Sequence, residues 1–195
     1  MSSVFGQLTS FYNYSACGLN YASSSEMITK RFDPYTTSGT VGCGLPCDSF
    51  NISGIPGCAI IEKAYVYFIV SYDNLAASVT VSVTNPLAST ASYTAANVGN
   101  SGSKCWGEAG TAVFRADVTP SASGSGKYTL NISGVTYAAS SVNGIDGATL
   151  IIIYRDPLAS YQGTMVIYNG NITDNTGTGT GSLTMSGFSS CQNTS

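Results

Sequence analysis

The sequence predicts an all-β fold, a two-layer β-sandwich or jelly roll, and three observations carry that prediction. The first is residues 146–170, DGATLIIIYRDPLASYQGTMVIYNG. Two β-branched and aromatic runs, Thr149 to Tyr154 and Thr164 to Tyr168, are bounded by Asp146-Gly147, Asp156-Pro157 and Asn169-Gly170. Such runs between turn residues read as strands. The second is residues 76–84, AASVTVSVT, where Val79, Val81 and Val83 alternate with Ser and Thr. That period of two marks a strand with one wet face. The third is the frequency of turn signals along the chain, with no segment of convincing helical period.

The run from Thr149 to Tyr154 is apolar on both faces. It is therefore expected at the centre of a sheet, with something covering each side. Asp156-Pro157 ends it, because proline removes a backbone donor and restricts the residue before it. Leu150, Ile152, Tyr65, Tyr67, Val81 and Val113 are the expected core.

Composition narrows the function classes. The 195 residues suit one domain. Hydrophobic residues make up 43% and charged residues 9%, against about 25% charged in typical domains. Ser, Thr, Gly and Tyr fill the gap, and the aromatic content excludes a disordered chain. A polar, uncharged surface over an apolar β core points to an extracellular or cell-surface location. Net charge is −3 and the seven Lys+Arg are scattered, with only Lys30 and Arg31 adjacent, so no basic patch offers itself to nucleic acid. No apolar run reaches the roughly 18 residues of a membrane-spanning helix. The longest, residues 59–72, is broken by Glu62 and Lys63. Met1-Ser-Ser-Val-Phe carries no charged or long apolar leader. Histidine is absent, which removes the commonest general base and the commonest metal ligand. No enzyme activity, catalytic residue, metal or cofactor is expected.

Residues 1–16 are β-prone through Val4, Phe5, Leu8, Phe11, Tyr12 and Tyr14, and no turn folds them back as a hairpin. They are expected as an N-terminal extension ahead of a sandwich domain at residues 17–195. They read either as an ordinary first strand or as a strand that pairs with a neighbouring subunit. Residues 17–58 are loop-rich. Turn residues dominate the cysteine-rich region 33–58, with a short strand at Phe50-Asn51-Ile52 and a candidate strand over residues 25–32. Residues 59–72, AIIEKAYVYFIVSY, are dense in β-branched and aromatic residues, which favours strand over helix. Residues 88–98 form a weaker small-residue strand, and residues 99–110 a loop holding Cys105 and Trp106. In residues 111–118, Val113, Arg115 and Asp117 share one face, and Ala112, Phe114, Ala116 and Val118 the other. Tyr128, Leu130 and Ile132 alternate in the next strand, and residues 182–188 supply the last candidate. No exact internal repeat occurs.

Six cysteines, Cys17, Cys43, Cys47, Cys58, Cys105 and Cys191, are the disulfide candidates. An even count in a chain of this composition suggests cross-links in an oxidising compartment. Bonds among Cys43, Cys47, Cys58 and Cys17 would restrain a region too rich in turns to hold itself, at roughly 2–4 kcal/mol each. Free buried thiols and a zinc site are the alternatives. Cys43 and Cys47 have near-ligand spacing, but no second short-spaced pair exists.

The motif order AIIEKAYVYF, FRADVTP, GKYTLNISG, DGATLIIIYRDP and MVIYNG resembles a β-sandwich domain recurrent in secreted bacterial and archaeal surface proteins. The resemblance covers about residues 55–190, and its motifs mark strands and turns rather than catalytic groups. It implies a sandwich fold and a surface location. In that family the strand ending in Gly187-Phe188 leads on to more chain, so a sandwich stopping there is expected to lack its closing strand. An open edge exposes unpaired backbone groups and an apolar groove. Residues 2–15 of the next molecule are the expected filler, by the strand addition used in pilins with donor-strand complementation. Uncharged, Tyr/Thr/Ser-rich, cysteine-containing chains of this length are also similar to subunits of archaeal thread filaments.

The resulting expectation is a structural subunit of a pilus-like extracellular filament, self-assembling head-to-tail. Val4, Leu8 and Tyr12, or Phe5 and Phe11, would fill pockets in the neighbour. The alternative is a monomeric adhesive or carbohydrate-binding sandwich with an aromatic platform near Trp106. The first needs residues 2–15 unpaired within their own subunit, and the second needs them paired internally.

Remaining polar groups read as structural. Asp73-Asn74, Asp146, Asp156 and Asp174-Asn175 are turn formers rather than calcium ligands. Asp117 is expected in an ion pair with Arg115 or Arg155. Without histidine no serine–histidine pair exists. Asn13, Asn51, Asn131, Asn171 and Asn193 stand in Asn-x-Ser/Thr sequons and are glycosylation candidates in an exported chain, with N-linked glycans as candidate partners.

Overall fold

The computed structural model describes residues 4–5, 8–26, 47–72, 79–102, 109–135, 144–174 and 185–186. Their elements are β1 (Val4–Phe5), β2 (Leu8–Cys17), β3 (Leu19–Glu26), β4 (Cys47–Ile52), β5 (Ile60–Tyr72), β6 (Val79–Thr84), β7 (Thr90–Gly102), β8 (Gly110–Asp117), a 3-10 turn (Thr119–Ser121), β9 (Gly126–Ser133), β10 (Gly144–Arg155), β11 (Gln162–Gly170) and β12 (Thr173–Asp174). The all-β, sandwich-like class expected from the sequence is what the chain adopts.

Eight strands form one antiparallel sheet in the order β3-β10-β5-β8-β7-β6-β9-β4. The sheet curls until its edges, β3 and β4, lie against each other and a barrel nearly closes. β7 makes the bend. Its first half pairs with β6 and its second half with β8, with a bulge between Asn97 and Gly99. Bulges bend a strand in this way.

Alternation sorts side chains to the two sides of this sheet. Ala64, Val66, Phe68 and Val70 of β5 face inward with Val79, Val81 and Val83 of β6, Ala112 and Phe114 of β8, and Leu150 and Ile152 of β10. Each is at most 3% exposed. Phe68 and Phe114 stack with ring centroids 5.4 Å apart. β10 lies between β3 and β5, so the apolar run does occupy an interior strand. Both of its faces are covered. Leu150 and Ile152 point into the barrel, while Ile153 joins Leu19 and Tyr65 in a second buried cluster. That outer cluster is roofed by a two-stranded sheet, β11–β2, through Tyr12, Ala16, Met165 and Ile167.

Four expectations need correction. First, the extension at residues 1–16 is not unpaired. β2 runs alongside β11 of its own chain over its whole length, and Val4–Phe5 pairs with Thr173–Asp174. The outer face of β10 and β5 requires a cover, and β2 supplies half of it. Second, the start of the expected loop region is β3, whose sequence LNYASSSE carries little β-propensity and one buried side chain. It holds as an edge strand through its ladder to β10. Third, Tyr67 and Val113 are only half-buried, because both lie on the outer face beyond the densest part of the roof. Fourth, Asp117 pairs with Lys63 at 3.4 Å, and Arg155 with Glu62. Most of the expected strands at residues 25–32 and 182–188, and Trp106, lie outside the described residues.

Candidate functional site: the seat of strand β2

β2 and β11 pair from Cys17 opposite Gln162 to Leu8 opposite Gly170. The Ser15 and Thr164 hydroxyls share a hydrogen bond of 2.7 Å across this ladder. At its C-terminal end β2 passes into β3 through Gly18 alone, at φ +69°. The Gly18 N–H donates to the Tyr161 carbonyl at 2.8 Å, and its carbonyl accepts from the Asp156 N–H at 2.9 Å. A Cβ at this position would stand 2.1 Å from the Asp156 carbonyl oxygen, so both conformation and space demand glycine. At the far end of the roof, the backbone of Gly170 and Asn171 presses on Gly99, where a Cβ would come within 2.5 Å.

The ladder slips between Ile167 and Tyr168. Tyr12 faces the first and Ser10 the second, leaving Phe11 as an extra residue. An extra residue breaks the two-residue alternation. Phe11 and Tyr12, neighbours in sequence, therefore both reach Tyr65 on the outer face of β5. Their ring centroids lie 5.4 Å and 6.3 Å from that of Tyr65, both edge-on. Neither of the two alternating contact sets expected from the sequence describes this arrangement.

Beneath Phe11 lies Arg115 of β8. Its guanidinium carbon sits 3.3 Å from the Phe11 ring centroid and 5.7 Å from that of Tyr65. Arg115 Nε and Nη1 are buried with no hydrogen-bond partner. Nearby carboxylates are engaged elsewhere. Asp117 accepts from Thr119 Oγ1 at 2.5 Å, from the Thr119 N–H at 3.1 Å and from Lys63. Glu62 takes Arg155. Burial by itself raises the Asp117 pKa, but the Thr119 hydrogen bonds and Lys63 outweigh it and leave the carboxyl below its ordinary value.

The tyrosines respond to the same environment. Burial first, then Asp117, pushes the Tyr65 hydroxyl up to about 12, against the opposing pull of Arg115. Burial, Glu62 and Tyr14 raise Tyr12. Burial also raises Tyr67, partly offset by the charge of Arg115 and by a side-chain hydrogen bond with it, which leaves Nε and Nη1 as the unpartnered donors of that guanidinium. The Tyr67 hydroxyl donates to Asn169 Oδ1 at 2.9 Å, tying β5 to the roof. Among the described residues, the site combines phenols raised above their ordinary pKa with the Arg115 guanidinium stacked beneath Phe11 of β2.

Of the expected subunit contacts, Phe11 and Tyr12 meet at Tyr65, Leu8 ends the ladder opposite Gly170, and Val4 and Phe5 form β1, paired with Thr173–Asp174. Cys17 and Cys58 are exposed free thiols, and the Cys17 thiol donates to the Ala159 carbonyl at 3.3 Å. Cys47 starts β4, and Cys43, Cys105 and Cys191 lie outside the described residues. Asn13, Asn51 and Asn131 are exposed on strands. Asn171 is not free for a glycan, since its amide donates to the Thr111 carbonyl at 3.1 Å and hydroxyl at 2.9 Å. Asn193 lies outside the described residues. Asp156 caps its own turn by accepting from the Leu158 N–H at 2.9 Å. Among the described residues no cluster of His, Cys, Asp and Glu could hold a metal, and no helix is long and apolar enough to cross a membrane. The role of Arg115 escapes sequence reading. Its only sequence signal is a lone cation between Val113 and Asp117 on the outer face of the strand. Compared with known proteins, the chain matches no family model, no curated protein and no solved structure.

Proposed function

We propose that this chain is a non-enzymatic structural subunit of an extracellular surface filament, joined head-to-tail by exchange of strand β2 between neighbours. One observation carries the reading. β2 forms half the roof over the apolar Leu19–Tyr65–Ile153 cluster, yet it connects to the sheet beneath through the single residue Gly18. Exchange of an identical element preserves every contact and changes only which molecule supplies it. β2 pairs within its own chain, against the unpaired strand first expected for a filament subunit, so exchange now needs that pairing to be the closed form of an exchangeable contact. In the filament the same ladder is made by the next copy, and a head-to-tail contact that does not close on itself yields a fibre. A surface with 9% charged residues offers little repulsion between copies, and exposed Asn51 and Asn131 leave room for glycans.

The second reading is a monomeric adhesive or carbohydrate-binding module. The closed pairing favours it, because the Gly18 corner is hydrogen-bonded on both sides to β10 and β11 connections of the same chain.

A cross-link separates the two. Ser15 and Thr164 face each other across the ladder. Chains carrying Ser15→Cys and chains carrying Thr164→Cys are unfolded and refolded together, oxidised, and run on a non-reducing gel beside the unsubstituted chain. Exchange predicts covalent dimers from the mixture and a ladder of oligomers from the double variant. Linkage only within monomers of the double variant would favour the adhesive module.

A further inference from the structure

We propose that Arg115 is the specificity-determining residue of the β2 seat, and that it reads an aromatic ring at the bulge position of the strand filling it. The inference deepens the strand-exchange reading, since the partner it selects is β2 of a second copy of this chain. Four observations converge. The bulge isolates Phe11 from the ladder and turns its ring toward the sheet. The Arg115 guanidinium lies 3.3 Å from the centre of that ring. Arg115 Nε and Nη1 are buried without acceptors. Among the described residues, Asp117 is held by Lys63 and Glu62 by Arg155.

A buried guanidinium with orphaned N–H groups is a standing cost. The negative face of an aromatic ring offsets part of it, more strongly where water is excluded. An incoming strand with an aliphatic residue at the bulge would bury the same cation without that offset. The penalty falls on the wrong strand as well as the reward on the right one, which is how discrimination between similar partners is built. A lysine at position 115 would not substitute, because its ammonium lacks the planar face that stacks.

Hydrogen exchange of full-length chains tests this. In Phe11→Leu, amides of the β2–β11 ladder should exchange about ten-fold faster, between the sizes for exposed and desolvated cation–π contacts, because the cation is buried and the ring is 38% exposed. In an Arg115→Met background the same substitution should change exchange by less than about three-fold, because the cation it would strand is gone. Phe11→Tyr should keep protection, because the ring over the guanidinium is retained. The β6–β9 ladder reports that the inner barrel remains folded. Should Phe11→Leu unfold the chain, Phe11→Trp carries the test, with slower ladder exchange than the parent only while Arg115 is present. Equal effects of the position 11 substitutions with and without Arg115 would overturn the proposal and leave plain apolar contact. The ladder exists in closed and exchanged arrangements alike. A failed latch therefore leaves the filament reading standing, and monomers that never exchange leave the latch standing.

Discussion

The two faces of β5 make the sharpest contrast in the molecule. On the inner face Ala64, Val66, Phe68 and Val70 are each at most 2% exposed. On the outer face Tyr65 is 2% exposed, Tyr67 is half-buried and Ile69 is 42% exposed. The inner face is aliphatic and phenylalanine, and strands from the whole curled sheet enclose it. The outer face carries tyrosines, with Arg115 beside them, under a roof of two strands. Aromatic residues and arginine are what the buried centres of protein–protein interfaces use. The inner face is thus enclosed by the whole curled sheet, while the outer face depends on the two-stranded roof of β2 and β11.

The largest expected effect tests the inner side. Ile152→Ala should cost about 2–5 kcal/mol in chemical denaturation, as for a buried large-to-small change. A loss below about 1 kcal/mol would break the distinction, because a core that relaxes so readily is not enclosed by the whole sheet. Ile153→Ala, one residue on and also 0% exposed, should cost about 2 kcal/mol, the low end for such changes, because a two-stranded roof can settle into the cavity. Equal losses from the two substitutions would erase the difference between the faces.

Gly18→Ala sharpens the contrast further. Left-handed strain of about 1–2 kcal/mol adds to the overlap with Asp156. The expected outcome is loss of exchange protection in β2 and β11, with β6 and β9 unaffected and a rise in exchanged oligomers by light scattering. Loss of protection throughout would mean that roof and barrel unfold as one unit.

The smallest effect is a pH dependence confined to the roof. Tyr65 has its pKa raised to about 12 in the folded chain, above the value of about 10 for a free tyrosine. A raised acid favours its neutral form on folding. Its contribution is complete below pH of about 10 and is lost as pH rises toward 12. Spectrophotometric titration should show Tyr65 ionising well after the exposed tyrosines, in a late group that also includes Tyr12 and Tyr67, with β2–β11 protection falling in the same window. Tyr65→Phe should remove its share of that late group. An unchanged titration would mean that the roof does not seal the outer face.

Much of the barrel is legible in the amino-acid order. The run LIIIY announces a strand buried on both sides, and the alternation at Val79, Val81 and Val83 announces which side chains enter the core. The split of residues 111–118 into an apolar face and a Val113–Arg115–Asp117 face is also readable, although the ion-pair partner of Asp117 is not. β3 is not legible, because LNYASSSE has neither periodicity nor propensity and is a strand only by virtue of its ladder to β10. The seat of β2 is half legible. Phe11 and Tyr12 stand out as contact residues, but alternation assigns them to opposite faces.

The sequence by itself determined the period of each strong strand, and with it the all-β class and the inner face of the barrel. Those follow from backbone geometry and local side-chain order, which need no knowledge of distant segments. Tertiary structure alone decided what covers the outer face of β10 and β5. That choice depends on a bulge that places Phe11 beside Tyr12, on Gly18 letting the chain cross from roof to sheet, and on Arg115 arriving from β8 beneath the ring. Each is a contact between segments far apart in the chain, selected by shape and by the cost of stranding a buried charge, and none leaves a periodic mark on the sequence.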